Sequence, residues 1–160
     1  MTSGATSPVA GADFDAACEL CALVTSDSPA AGPVYRDDKL SVILVDDAAY
    51  PGFCRVVWNA HVKEITDLAP ADRMLLNDAV WQVELAQREV LSPDKINVAS
   101  LGNMTPHIHW HVIPRFADDP HFPSPVWAAV VRQTEEPVLA SRRALLPQLV
   151  ANIVRRLTEK

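Results

Sequence analysis

Short apolar runs separated by polar turns characterise the first part of the chain, and this pattern predicts β-strands. Residues 33–36 and 40–45 are largely apolar and flank the polar segment 37–39, as the two arms of a β-hairpin do. The turn at Pro51 and Gly52 is followed by another such run, residues 53–58, which predicts a third strand.

Between residues 67 and 91 the apolar positions take a helical spacing. The positions predicted to face inward recur every three or four residues, at Leu76, Val80, Val83, Gln87 and Val90. Pro70 suits the first turn of this helix, and Pro93 follows its end. A second helix is predicted over residues 141–160, in which Pro147 either produces a kink or marks the true start.

Two later runs, residues 95–100 and 107–113, predict a fourth and a fifth strand. Because strands and helices do not alternate as in β-α-β units, the pattern predicts an α+β fold. It has an antiparallel sheet of about five strands, one long helix and a C-terminal helix. At 160 residues the chain has the length of one domain, predicted over residues 14–160. Small and polar residues in segment 1–13 predict a flexible N-terminal tail.

Composition and charge exclude several classes of protein. The formal net charge is −6, from 14 Lys and Arg against 20 Asp and Glu. The chain therefore lacks the basic footprint expected of a protein that binds a nucleic-acid polymer or an anionic membrane. No apolar stretch approaches the roughly 18 residues of a membrane span, and segment 1–13 has no features of a secretory signal. Three cysteines do not make a disulfide framework, so we expect a cytoplasmic protein.

Three of the five histidines occupy alternate positions of the fifth predicted strand, at His107, His109 and His111. Side chains of a strand alternate between the two faces of a sheet, so the three imidazoles share one face. The apolar residues between them then face a core. Histidine is therefore concentrated on one stripe of the predicted sheet.

Three interpretations of this stripe are open. It is a half-exposed polar face that happens to be rich in histidine, or a metal site, because neutral imidazoles ligate zinc. Three ligands along one strand, however, converge less easily on one ion than two do. The third interpretation is nucleophilic catalysis, in which the central imidazole attacks while its neighbours orient it and transfer protons.

The sequence His-x-His-x-His followed by apolar residues resembles the signature of the histidine triad (HIT) family of nucleotidyl hydrolases and transferases. The resemblance extends from about Cys18 to Trp127, and it includes the Asn-Ala-His segment at 59–61 and the predicted strand and loop at 97–102. More closely, the chain resembles bacterial HIT proteins that are often described as diadenosine polyphosphate hydrolases.

The resemblance implies a covalent mechanism and a role for each histidine. His109 would attack the α-phosphorus of a nucleotide substrate, and water would then release the mononucleotide from the nucleotidyl-histidine. His111 would contact the phosphate and assist the leaving group, and His107 would fix the geometry of the row. The resemblance further implies a homodimer, to which the long helix contributes, and a displacement that needs neither a metal ion nor an organic cofactor.

Four candidate substrate-binding residues accompany the triad. Asn97 corresponds to a family position near the ribose or phosphate, and Gly102 allows the backbone to approach a ligand closely. Asn103 stands where family members usually carry Gln, and its shorter side chain bears on the choice of leaving group. Arg115 either meets anionic oxygens of the substrate or is an ordinary surface charge at the end of the strand.

Cys18 and Cys21 are separated by two residues, a spacing typical of half a zinc site or of a redox pair. A redox pair is expected in a thioredoxin-like β-α-β unit, and the sequence predicts none. Some HIT proteins bind zinc through such a pair and two histidines, which correspond here to His61 and His107. The resemblance thus implies a closed, structural Cys2His2 zinc site. Cys54 is predicted to be a small core residue.

The sequence as a whole predicts a nucleotidyl hydrolase or transferase acting on a nucleoside phosphoanhydride or phosphoramidate through His109. The alternative is a HIT module that binds or senses nucleotides without turnover, which Asn103 favours and the intact triad opposes. A further rival is a metallo-hydrolase that uses the triad as ligands. Downstream, we expect Trp127 to be buried and His121 to lie in a surface loop.

Overall fold

The computed structural model describes residues 14–159, and the predicted tail, 1–13, lies outside them. The described chain contains one five-stranded sheet, four α-helices and a short 3-10 helix at Ile65–Asp67. In chain order the elements are α1 (Glu19–Thr25), β1 (Tyr35–Arg36), β2 (Leu40–Leu44), β3 (Cys54–Trp58), α2 (Pro70–Leu91), β4 (Lys95–Ala99), β5 (His109–Arg115), α3 (Glu136–Ala144) and α4 (Leu146–Thr158).

The sheet has the order β1-β2-β3-β5-β4, and every neighbouring pair is antiparallel. This confirms the predicted α+β class. The fifth strand begins at His109, two residues later than predicted, and continues through Pro114 to Arg115. Pro114 is tolerated because the pairing of β5 with β3 ends at Val112, before the residue that lacks an N–H donor.

One face of the sheet carries the main hydrophobic core and is covered by α2 and α4. All five positions of α2 predicted to face inward are buried. Pro147 lies in the first turn of α4, so it marks the start of a helix and divides the predicted C-terminal helix into α3 and α4. The α4 side chains in this core are Leu149, Ile153 and Leu157. The C-terminal helix therefore packs on the face away from the histidine row.

Buried Gln87 ties the middle of α2 to the sheet. Its side-chain nitrogen donates to the carbonyl oxygens of Gly52 and Val112, each at 2.8 Å. Gly52 has a φ of 91°, and a Cβ added there would collide with Leu91 Cδ1. Glycine is therefore required where the turn before β3 approaches the end of α2.

The opposite face is covered by α1, which the sequence did not predict. Its buried side chains, among them Leu20 and Val24, pack against Ile43 and Val57 of the sheet. Another part of this face packs against Tyr50 and the long loop after β5. Within residues 14–159, none of the helices combines the length and apolar character that crossing a membrane requires.

Candidate active site and metal centre

The histidine row lies at the start of β5, which is flanked by β3 and β4, on the face opposite α2 and α4. His109 and His111 belong to the strand, whereas His107 lies two residues before its start. All three side chains are buried, with exposures of 1% for His107, 7% for His109 and 8% for His111. The shared face is as predicted, and this burial contradicts the interpretation of a half-exposed polar face.

His109 is held in one orientation by the backbone of the same row. Its Nδ1 lies 2.6 Å from the carbonyl oxygen of His107, a distance at which Nδ1–H donates to that carbonyl. The proton on Nδ1 leaves Nε2 with a free lone pair, as a neutral imidazole requires. Burial lowers the pKa of His109 and thus favours this neutral form.

His111 lies beside His109, with 4.9 Å between the ring centroids. The ring centroids of Phe53 and Trp127 lie 5.7 and 5.9 Å from that of His111. Burial, followed by the charges of His109 and Arg55, lowers the pKa of His111 to about 4. Its Nδ1 is buried without a hydrogen-bond partner among the residues that the structure describes. Such an atom is costly to leave unpaired, which makes it a candidate contact for a polar ligand.

Trp127 corrects an expectation from the sequence. It is 58% exposed rather than buried, and its ring stands edge-on to His111. An exposed indole beside a buried imidazole provides an aromatic wall at the mouth of the site. His121 is indeed in the loop after β5, but it is half-buried and its Nδ1 lies 2.6 Å from the Tyr50 hydroxyl.

The four predicted metal ligands come together at the other end of the row. Candidate ligand atoms of Cys18, Cys21, His61 and His107 all lie within 4.8 Å of one another. The Nδ1 atom of His107 is 3.5 Å from both sulfurs, and His61 Nδ1 is 3.3 Å from Cys21 Sγ. Tetrahedral zinc with its usual bond lengths places sulfur and nitrogen about 3.5 Å apart. The donor types and these three distances therefore fit a zinc ion.

The surroundings of the cluster support the same assignment. His107 Nε2 is 2.6 Å from the carbonyl oxygen of Trp58, so Nε2 carries the proton and Nδ1 is free to ligate. A carboxylate oxygen of Asp15 lies 3.9 Å from Nε2 of His61. Burial raises the pKa of the Cys21 thiol, so a proton must leave it when a cation binds. Two sulfurs and two imidazoles leave no open position on a tetrahedral ion, which describes a structural site.

Arg115 is not a surface charge at the end of the strand, which corrects one of the two sequence interpretations; its contact with substrate oxygens stays a prediction. It is 2% exposed, and its guanidinium binds Asp119 through Nε and Nη2, at 2.7 and 3.0 Å. It also donates to the side-chain oxygen of Asn97 at 2.6 Å and to the carbonyl oxygen of Ser124 at 2.7 Å. Arg115 and Asn97 thus hold the loop that follows β5.

Asp119 is the centre of this network, and sequence reasoning missed it. Burial alone raises a carboxyl pKa, but donors from Arg115 and the backbone of Phe116, His121 and Phe122 outweigh it and lower the pKa of Asp119 to about 2. The Tyr50 hydroxyl donates to the same carboxylate at 3.1 Å. The network anchors the loop that carries Trp127. The only sequence signal for Asp119 is its position four residues after Arg115.

Gly102 and Asn103 lie in the loop between β4 and the histidine row. Gly102 has a φ of 76° and lines a cavity of about 480 Å³ between segments 63–66 and 98–102. His107 borders this cavity, whereas His109 and His111 do not. Asn103 is exposed, and its role toward a substrate stays a prediction.

Arg55 is a second residue that the sequence did not single out. It lies directly opposite His111 in the β3-β5 pairing. This position follows from the register of the sheet, which no pattern of single residues reveals.

Comparison with known proteins gives one family. The family model described as HIT domain matches residues 29–118, more than half of the chain. An uncharacterized HIT-like protein from Saccharolobus solfataricus is 26% identical over 92 residues, which cover 54% of this chain and 66% of that protein. The match thus spans slightly less than two thirds of the relative.

Two solved structures show the same architecture. A histidine triad protein from Bradyrhizobium japonicum superposes with a TM-score of 0.62 at 25% identity, over 78% of this chain and 89% of its own. A Zn-bound histidine triad family protein from Mycobacterium smegmatis has a TM-score of 0.54 at 25% identity, over 84% of this chain and 96% of its own.

Proposed function

This chain belongs to the HIT domain family, and on that premise we propose that it is a nucleotidyl hydrolase or transferase using a covalent nucleotidyl-histidine at His109. The observation that carries the proposal is the 2.6 Å contact between His109 Nδ1 and the His107 carbonyl. It fixes the tautomer in which Nε2 is unprotonated and nucleophilic. The substrates are nucleoside phosphoanhydrides or phosphoramidates, such as diadenosine polyphosphates or adenosine phosphoramidate.

The reaction has two displacements. The Nε2 lone pair of His109 forms a bond to the α-phosphorus while the bond from phosphorus to the leaving oxygen or nitrogen breaks. The leaving group departs with that electron pair and takes up a proton. Water then attacks the phosphorus, the bond to Nε2 breaks, and the mononucleotide leaves while the water gives up a proton. His111, adjacent to His109, contacts the phosphate and assists the departure of the leaving group.

The metal-ligand set has a separate role in this proposal. Cys18, Cys21, His61 and His107 would hold a structural zinc ion, which supplies a cross-link between α1 and the sheet. The chain's own residues make the reacting site, since no ligand position remains open for substrate. None of the three cysteines, Cys54 included, forms a disulfide bond in the structure. Reduced cysteines suit the cytoplasmic location that we propose.

The proposal is tested by mixing the protein with diadenosine tetraphosphate or adenosine 5′-phosphoramidate, quenching, and measuring released AMP and the intact protein mass. We expect AMP with both substrates and a transient adenylyl adduct on the protein. Adduct that persists when His109 is replaced by Ala would place the nucleophile elsewhere. Tight nucleotide binding without AMP release would instead favour the alternative, a nucleotide-binding module that does not turn over.

We further propose that the chain forms a homodimer through α2 and the edge strand β4. Met74, Trp81 and Leu85 are 73%, 48% and 40% exposed, and their spacing places them on one side of α2. Strand β4 pairs only with β5, so its outer edge is free within residues 14–159. A second copy of this chain would cover both the apolar stripe and this edge.

Trp81→Arg is expected to shift the chain from dimer to monomer, because it places a charge in the centre of that stripe. Sedimentation velocity measures the change in mass. Val131→Arg is the control, since Val131 is 61% exposed but lies in the loop after β5. Loss of the dimer in the control alone, or in neither variant, would contradict this interface.

A further inference from the structure

Arg55 is a basic side chain on the same face of the sheet as the catalytic row. In the β3-β5 ladder it pairs with His111, while Val57 pairs with His109. The arginine is therefore placed beside the last histidine of the row rather than beside the nucleophile. On its other side it pairs with Ile43, which is buried and offers no partner for a charge.

The guanidinium of Arg55 is poorly satisfied by the protein. Its Nε is buried and has no hydrogen-bond partner within residues 14–159. Its Nη1 lies 3.9 Å from a carboxylate oxygen of Glu19, which is too far for a hydrogen bond. The Glu19 side chain is 71% exposed, so this ion pair is screened by water and weak. A buried donor left unpaired is expensive, and a ligand that supplies an acceptor removes the cost.

The electrostatics agree with this placement. The positive charge of Arg55 contributes to lowering the pKa of His111, the ring opposite it in the sheet. The side chain is 28% exposed, so part of it is accessible from solvent. The overall charge of −6 repels an anionic substrate, which makes a local cation at the site more important.

We propose that Arg55 binds phosphate oxygens on the leaving-group side of the substrate, next to His111. A guanidinium presents paired N–H donors that match the oxygens of a phosphate. Since a phosphoanhydride has a charged phosphate in the leaving group and a phosphoramidate does not, Arg55 makes nucleoside polyphosphates the favoured substrate class. The inference rests on the proposed function, and it assigns a substrate preference to a residue outside the triad.

Arg55→Gln is the test, with diadenosine tetraphosphate and adenosine 5′-phosphoramidate as paired substrates. We expect kcat/KM for the tetraphosphate to fall by about 100-fold and kcat/KM for the phosphoramidate by less than about threefold, because only the former loses a charge contact. Arg55→Lys should restore part of the loss, since it keeps the charge without the fork. Equal losses on both substrates, or no loss on either, would overturn the proposal.

Glu19→Gln is the matched control, because it removes the acidic neighbour of Arg55 and leaves the guanidinium in place. If Arg55 served only to hold α1 through Glu19, both single variants would lose the same activity. We expect Glu19→Gln to keep wild-type selectivity between the two substrates. Thermal midpoint and zinc content, measured on each variant, identify any loss that comes from the fold.

A binding measurement separates failure of this inference from failure of the proposed function. In the His109→Ala background, Arg55→Gln should weaken the binding of α,β-methylene-ADP by about tenfold. It should change the affinity for AMP by less than about twofold. Only the first ligand has a β-phosphate for Arg55 to bind. Turnover retained by His109→Ala would refute the nucleophile, and unchanged α,β-methylene-ADP affinity would refute the role of Arg55.

Discussion

Replacement of His109 by Gly is expected to reduce AMP release from diadenosine tetraphosphate by about 10⁴-fold or more, because it removes the group that bonds to phosphorus. The substitution leaves the carbonyl oxygen of His107 without the donor that it has in the wild-type chain. That carbonyl belongs to a loop residue just before β5, and we expect the fold to tolerate the loss of this hydrogen bond. Steady-state rates and the thermal midpoint are measured on the same samples.

His121→Gln is the control for the loss of a histidine near the site. His121 is half-buried in the loop after β5 and contacts Tyr50 rather than the row. We expect its AMP release to stay within a small factor of wild type. If His109→Gly stays folded and keeps wild-type turnover, the covalent mechanism is wrong. Partial rescue of His109→Gly by added imidazole would support it, because the free ring replaces the missing nucleophile.

Removal of zinc is expected to lower the thermal midpoint by roughly 10 °C. This shift corresponds to about 4 kcal/mol of folding free energy, the stabilisation that zinc supplies when its free concentration exceeds its Kd about a thousandfold. The physical reason is that four ligands join α1, the residues after β3 and the start of the histidine row. Without a cation, two buried thiols and two imidazoles remain at 3.3–3.5 Å. Scanning calorimetry with and without a chelator measures the change.

Cys21→Ser and Cys54→Ala form the matched pair for this prediction. Both cysteines are fully buried, but only Cys21 lies at ligand distance from His61 and His107. We expect elemental analysis to find one zinc per chain in Cys54→Ala and none in Cys21→Ser. A chelated chain that keeps its thermal midpoint but loses all turnover would instead favour the metallo-hydrolase interpretation, in which the triad holds a catalytic ion.

The parts of the fold that the sequence predicted well are those with a strong local period. Apolar runs bounded by turns placed the strands within one or two residues, and the helical spacing of α2 identified its buried side. Helix α1 has only seven residues, too few to show a helical period. Its position depends on contacts with Ile43 and Val57, which are distant in sequence.

Some residues of the candidate site could be predicted from the sequence, and others could not. The spacing of the three histidines predicted a shared face, and family resemblance predicted the four ligands that the structure brings together. Arg115 could not be interpreted from its own position, because its burial depends on Asp119 and Asn97 supplying acceptors. Arg55 was missed for a related reason: its neighbour His111 is assigned by strand register, which a single strand does not encode.

The distance in sequence between the proposed metal ligands has a consequence for biosynthesis. Cys18 and His107 are 89 positions apart, and Cys21 and His61 are 40 apart. During synthesis the cysteines emerge first, and the fourth ligand becomes available only once β5 begins to leave the ribosome. Helix α1 packs against β2 and β3, which emerge earlier, but its set of ligands stays incomplete until β5 is inserted between β3 and β4. The proposed metal centre and the strand that carries the proposed nucleophile are consequently completed together, so a chain truncated before residue 107 lacks both the fourth ligand and the histidine row.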